Sequence, residues 1–78
     1  MFGLQYVNGY RVVAEMKDQT SETAQSIVVV DRTCEYDTYA VWTVAQISGK
    51  VEASQGFYTD GLHCALTHAA RRATGYDG

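Results

Sequence analysis

The chain has 78 residues, of which 46% are hydrophobic and 19% charged, and its formal net charge is −3. This composition is typical of a globular domain and excludes a disordered segment. The acidic balance argues against a protein held on nucleic acid by general electrostatics. The sequence has neither an apolar stretch long enough to cross a bilayer nor the pattern of a signal peptide. We therefore expect a single domain over residues 1–78, cytoplasmic and without a membrane segment.

Two cysteines, Cys34 and Cys64, are too few for the disulfide scaffold of a small secreted domain. We expect both to be free thiols in a reducing compartment.

Asn8-Gly9 is the strongest hairpin signal in the sequence, and it predicts strands at about residues 2–7 and 10–17. Apolar and polar residues alternate in the second of these strands, which predicts that its apolar members share one buried face. Those members are Tyr10, Val12, Ala14 and Met16. The polar residues 18–23 predict a surface loop.

A run of β-branched residues, Ile27 to Val30, predicts a central strand at about residues 24–33 with two buried faces. Two more strands are predicted at 38–47 and 50–59, on either side of Ser48-Gly49. A two-residue loop there would place Trp42 and Phe57 on the same sheet face, whereas a three-residue loop would separate them. We favour the two-residue loop, because the helix can then cover both large side chains.

Residues 60–74 show helical periodicity. Asp60 or Thr59 is a candidate N-terminal cap, and Gly75 suits a left-handed stop. The predicted apolar stripe consists of Leu62, Ala65, Leu66, Ala69 and Ala73, with Ala70 on its edge.

The predicted fold is α+β: an antiparallel four- to five-stranded β-sheet, ordered as a meander, with one C-terminal α-helix packed on one face. A single helix leaves the second sheet face apolar and uncovered. The N-terminal arm, a second copy or a target could cover it. We predict a homodimer with twofold symmetry.

Cys64 and His68 lie four residues apart, on a helix flank opposite the apolar stripe with Thr67 and Arg71. The pair could supply two zinc ligands, but a structural zinc site needs four and His63 points elsewhere. It could also form a nucleophile and base, but no cleft or oxyanion donor accompanies it. We interpret both as surface residues and expect no metal, cofactor or catalytic residue in a protein that is not an enzyme.

Tyrosine is abundant, with six residues in the chain, and several fall at strand ends or turns. Tyrosines are common at interface hot spots. Around residues 31–39 they are mixed with acids, which suits a protein partner with a basic surface. The predicted partner-binding residues are Asp31, Glu35, Tyr36, Asp37 and Tyr39. The alternative is a small nucleic-acid-binding regulator that uses Arg71, Arg72, Arg32 and Lys17.

The segment from Tyr39-Ala40-Val41-Trp42-Thr43-Val44 through Gly56-Phe57-Tyr58 to Ala69-Ala70-Arg71-Arg72 resembles the ends of small phage-encoded accessory proteins. Anti-CRISPR proteins belong to this kind of compact, often acidic α+β chain. The resemblance implies a non-catalytic inhibitor, in the host-cell cytoplasm, that blocks a basic surface of a CRISPR effector subunit or nuclease. Anti-CRISPR proteins share no common motif, so the resemblance assigns no functional residue.

Overall fold

The computed structural model describes residues 5–20, 25–33, 36–47 and 50–75. These form one antiparallel sheet, with strands in the order β1-β2-β3-β4-β5, followed by one helix. The predicted α+β meander is therefore confirmed. The elements are β1 (Tyr6–Val7), β2 (Tyr10–Lys17), β3 (Gln25–Asp31), β4 (Tyr39–Ile47), β5 (Lys50–Thr59) and α1 (Leu62–Thr74). The predicted strand residues 2–4, residues 21–24 at the end of the predicted loop and the start of the next strand, Cys34, Glu35 and the Ser48-Gly49 turn lie outside the described residues.

The central strand β3 is buried on both faces, as its run of β-branched residues predicts. All four side chains from Ile27 to Val30 are fully buried. Two apolar clusters result, one on each side of the sheet. The cluster beneath the helix contains Ile27, Val29, Val41, Ala65, Ala69 and Ala73. The opposite cluster contains Val7, Val28, Val30, Ala40, Trp42 and Val44.

The prediction that Trp42 faces the helix is wrong. Ile47 does lie opposite Lys50, as the two-residue loop requires, but the β4–β5 pairing shifts by one residue between Val41 and Thr43. On β5 the extra residue falls at Gln55–Gly56, where Gln55 has a left-handed φ of 57°. One extra residue reverses the alternation of side chains beyond it. Phe57 therefore faces the helix, while Trp42 lies in the opposite cluster.

A second bulge divides β2. Val12 pairs with Val30 and Ala14 with Val29, so Val13 has no partner of its own. The predicted common face of the four apolar residues of β2 is therefore wrong: Tyr10 and Val12 pack in the Trp42 cluster, whereas Ala14 and Met16 pack beneath the helix. Bulges bend a strand and increase its twist, which accounts for the curl of the sheet.

The sheet face away from the helix is not the exposed apolar surface that the sequence suggested. Val28, Val30, Ala40 and Val44 on this face are fully buried within the single chain. Val7, from the N-terminal hairpin, is buried among them. The N-terminal arm thus contributes to closing this face.

Helix α1 begins at Leu62, two residues later than predicted, and its N-cap is Gly61 without a side-chain cap. The predicted capping role of Asp60 or Thr59 is wrong. The Asp60 carboxylate accepts a hydrogen bond from the Asp37 N–H, and the Thr59 hydroxyl accepts one at 3.3 Å from the N–H of Gly61, which is itself the N-cap. The predicted stop is confirmed: Gly75 is left-handed, with φ 75°, and its N–H donates to the carbonyl of Arg72. Ala65, Ala69 and Ala73 form the buried stripe, while Leu62 is 41% exposed.

Residues 18–20 are more than a surface loop, because they join the end of β2 to the end of α1. The Gln19 N–H donates to the carbonyl of Ala73 at 2.7 Å. Asp18 is buried, and its carboxylate accepts hydrogen bonds from the N–H and the hydroxyl of Thr20 at 2.9 and 2.6 Å. The connection therefore satisfies one of the carbonyls that a helix end leaves free.

Candidate partner-binding site

The predicted partner-binding residues surround the β3–β4 connection. Asp31 ends β3 and pairs with Tyr39 at the start of β4. The Arg32 N–H donates to the carbonyl of Thr38 at 2.7 Å, which extends the hairpin beyond the last pair of the ladder. Tyr36 is 74% exposed and Asp37 is also exposed. Glu35 belongs to the same connection but lies outside the described residues.

Two of the described residues of this connection adopt left-handed backbone conformations, Thr33 with φ 53° and Asp37 with φ 51°. Such a φ is unusual for a β-branched residue. At Thr33 it is supported by bonds from its N–H to the Asp31 carboxylate at 2.8 Å and from its hydroxyl to the carbonyl of Arg32 at 2.6 Å. At Asp37 it is supported by the bond to the carboxylate of Asp60. Local bonds of this kind can offset the cost of a strained backbone.

Asp60 is a residue of this site that sequence reasoning missed. It follows β5, 23 positions after Asp37, and the fold brings its carboxylate to the β3–β4 connection. We define the acidic end of the molecule as the described carboxylates Asp31, Asp37 and Asp60, together with Glu35, which is assigned to it only by its sequence position in the same connection.

The acidic end concentrates the charge of the chain. The sequence has nine acids and six bases, and the acidic end with Arg32 accounts for four acids and one base. That difference is −3, the formal net charge of the whole protein. Removing these residues leaves five acids and five bases, so the remainder is formally neutral.

A cleft of about 350 Å³ adjoins the acidic end and is lined by Tyr10, Arg32, Asp37, Trp42 and Tyr58. The guanidinium carbon of Arg32 lies 5.0 Å from the ring centre of Tyr58 and 5.9 Å from that of Tyr10. Both distances allow cation–π attraction. The Trp42 indole N–H donates to the Tyr58 hydroxyl at 3.4 Å. We call this group the tyrosine cleft.

Gly56 allows the Tyr58 ring to lie close to its own strand. A Cβ at position 56 would stand 2.7 Å from the Tyr58 hydroxyl oxygen and 2.9 Å from two ring carbons. Glycine inside a strand often marks such a close approach. The sequence does contain a signal for this contact. Gly56 precedes Tyr58 by two positions, and residues two positions apart in a strand face the same side of the sheet.

Tyr39 differs from the other predicted partner-binding residues. Its side chain is partly buried and packs beneath the helix, against the cluster of Ile27 and Val41. It lies on the opposite sheet face from Trp42, which lines the tyrosine cleft. Tyr39 therefore contributes to the core as well as standing next to the acidic end.

The arginines of the alternative interpretation do not lie on one surface. Arg32 lines the tyrosine cleft, while Arg71 and Arg72 lie on the helix. Arg72 is engaged by the fold: its Nη1 donates to the carbonyl of Gln55 at 2.7 Å and to the hydroxyl of Thr43 at 3.3 Å. Burial lowers the pKa of its guanidinium from the usual value. This arrangement does not form a continuous basic surface from the three arginines.

His68 was predicted to be a plain surface residue, but its ring stacks on Phe57, with centres 3.9 Å apart and planes at 5°. Its Nε2 lies 2.8 Å from Nη2 of Arg72. A guanidinium only donates hydrogen bonds, so Nε2 accepts and the ring proton resides on Nδ1. While this bond is made, Nε2 is not open to take a proton from the exposed thiol of Cys64. In the described parts of the chain, no group of three or more His, Cys, Asp or Glu residues is placed to hold a metal ion.

The fold and site define a small antiparallel α+β domain with a charged, tyrosine-rich end. Comparison with protein-family models, curated proteins and solved structures found no match to this chain. Among the described residues, no helix is both long enough and apolar enough to span a membrane.

Proposed function

We propose that this protein is a non-catalytic inhibitor that binds a basic surface of a protein partner through its acidic end and the exposed Tyr36. The observation that carries the proposal is the distribution of charge. The acidic end with Arg32 holds the whole formal charge of −3, while the rest of the chain is balanced.

A concentrated negative charge accelerates encounter with a basic surface and favours one orientation of approach. Within the described chain, the carboxylate of Asp37 makes neither a hydrogen bond nor an ion pair, so it is available to a partner. Tyr36 adds a large amphipathic side chain that is 74% exposed. Tyrosines of this kind often supply much of the binding energy at an interface.

Basic surfaces large enough to accept this end are found on proteins that hold nucleic acid. Following the resemblance to anti-CRISPR proteins, the proposed partner is a CRISPR effector subunit or a nuclease in the cytoplasm of a phage-infected host. Binding there would exclude the nucleic acid without any chemical step. The separation of Arg32 from Arg71 and Arg72 favours this proposal over direct nucleic-acid binding.

A homodimer is part of the same proposal, although the apolar face that suggested it is closed within the chain. Among the described residues, the outer edge of β5 is the surface that supports a dimer, because β5 is the last strand of the sheet. Val51 and Tyr58 on this strand are 43% and 46% exposed. Light scattering across a dilution series tests the dimer, and a constant mass of 8.6 kDa would exclude it.

The proposed function is tested by measuring binding to a panel of purified CRISPR effectors and nucleases. We expect Tyr36→Ala and Asp37→Asn each to weaken binding to the true partner by about tenfold or more. Glu52→Gln is the matched control, because it removes the same charge from an exposed position on β5. Its affinity should stay close to that of the unmodified protein.

Two results would refute the proposal. One is partner binding that Tyr36→Ala and Asp37→Asn leave unchanged. The other is salt-dependent binding of DNA or RNA by the isolated protein that is lost in Arg71→Ala, which would favour the nucleic-acid regulator instead.

A further inference from the structure

A second cleft lies between α1 and β5, with a volume of about 370 Å³. The expectation that no cleft accompanies Cys64 and His68 is therefore wrong. Cys64, Thr67 and Arg71 line it from one flank of the helix, at spacings of three and four residues. The stacked rings of Phe57 and His68 provide an aromatic wall. His63 completes the lining, so the prediction that it points away from Cys64 and His68 is wrong. We call this site the α1–β5 pocket.

Four polar side chains of this pocket have no assigned structural role: His63, Cys64, Thr67 and Arg71. Within the described chain none of these side chains makes a hydrogen bond or an ion pair. The neighbouring Arg72, by contrast, contacts Thr43, Gln55 and His68. Uncommitted polar groups that converge on an apolar wall are typical of a ligand site.

The charges of the pocket select the ligand. Among the described residues, its lining contains the guanidinium of Arg71 and no Asp or Glu. A guanidinium fork matches the two oxygens of a carboxylate or a phosphate. Thr67 and His63 can each donate a further hydrogen bond. The wall of Phe57 and His68 suits a flat, apolar body, and the volume lies near the lower end of the usual range for ligand pockets, about 300–1,000 Å³.

We propose that the α1–β5 pocket binds a small organic anion: an aromatic body against Phe57 and His68, with a carboxylate or phosphate held by Arg71. The site differs in place and in charge from the acidic end. The proposal therefore does not depend on the proposed function.

The test is an NMR titration of the unmodified protein with benzoate and with phenyl phosphate. Benzamide, which has the same ring without the charge, is the control ligand. We expect saturable chemical-shift changes of Thr67 and of the Arg71 side chain with at least one anion. The anion that binds more tightly identifies the preferred headgroup.

Arg71→Ala should weaken that binding by about tenfold or more. Arg11→Ala removes the same charge from an exposed position on β2 and should leave it unchanged. Shifts that never saturate, equal shifts with benzamide, or an unchanged affinity in Arg71→Ala would overturn the proposal.

A second measurement needs no variant. Cys64 is exposed and lines the pocket, so a bound anion should slow its alkylation by iodoacetamide. Peptide mapping by mass spectrometry follows Cys64 and Cys34 separately, and Cys34 reports any general effect of the added salt. An alkylation rate of Cys64 that does not change at saturating anion would also refute the site.

Discussion

The ring of Tyr58 lies so close to Gly56 that a Cβ at position 56 would stand 2.7 Å from the tyrosine hydroxyl oxygen. This contact holds one wall of the tyrosine cleft, because the same ring lies 5.0 Å from the guanidinium carbon of Arg32 and accepts a hydrogen bond from Trp42. The absence of a side chain at Gly56 thus allows Tyr58 to line the tyrosine cleft, at the edge of the proposed partner surface.

We predict that Gly56→Ala displaces the Tyr58 ring and lowers the free energy of unfolding by about 1 kcal/mol, the lower end of the usual cost of overpacking, because this partly exposed ring can move toward solvent. Chemical denaturation measures the loss. In a Tyr58→Ala background the same substitution should be neutral or should stabilise by about 0.5–1 kcal/mol, because alanine is favoured over glycine inside a strand. Equal losses in both backgrounds would show that the contact is not the cause.

Trp42→Ala should cost about 3–5 kcal/mol, since it removes the largest side chain of the cluster opposite the helix. Small domains have a total stability of only about 5–15 kcal/mol, so much of this protein would unfold. Trp42→Phe, which keeps most of the packing, should cost less. A folded Trp42→Ala protein with an unchanged melting temperature would contradict the burial of this residue.

Arg72→Met should destabilise the protein by about 1.5–3 kcal/mol, because hydrogen bonds from a charged donor to β4, β5 and His68 are lost. The partial exposure of Arg72 places the expected value at the lower end of this range. Arg71→Met is the matched control, one position away with the same loss of charge, and should change stability by less than about 0.5 kcal/mol. Thermal unfolding of the two variants at equal ionic strength makes the comparison, and equal melting temperatures would refute a structural role for Arg72.

Ser26→Ala should leave stability unchanged or raise it by about 1 kcal/mol. Ser26 is fully buried, and its hydroxyl has no hydrogen-bond partner among the described residues. A buried polar group without a partner costs about 1–3 kcal/mol, so its removal should be tolerated. Ser54→Ala provides the comparison in a urea titration, because Ser54 is exposed on β5 and its hydroxyl donates only one long hydrogen bond, to the Thr43 carbonyl at 3.5 Å. A loss greater than about 1 kcal/mol at Ser26 would reveal a partner for its hydroxyl.

Several parts of the candidate site follow from local sequence. The connection between two apolar strands predicts the placement of Asp31, Tyr36 and Asp37 at one end of the sheet. Asp60 could not be added in this way, because its contact with Asp37 joins segments 23 residues apart. The tyrosine cleft likewise draws Tyr10, Arg32 and Tyr58 from three regions of the chain.

The elements with local signals can be predicted from the amino-acid sequence alone. A run of β-branched residues predicts a central strand, Asn8-Gly9 a hairpin, and a stripe of alanines followed by Gly75 a helix with a defined end. Each depends on preferences of neighbouring residues, so each is visible without the rest of the chain.

The distribution of side chains between the two sheet faces, by contrast, depends on contacts between distant parts of the chain. The bulges at Val13 and Gln55 each insert one residue into an otherwise regular ladder. Since side chains alternate with a period of two, one inserted residue moves every side chain beyond it to the other face. The bulge at Gln55 places Phe57 and Trp42 on opposite sheet faces. Both bulges result from packing against neighbouring strands and the helix, so no local pattern in β2 or β5 predicts them.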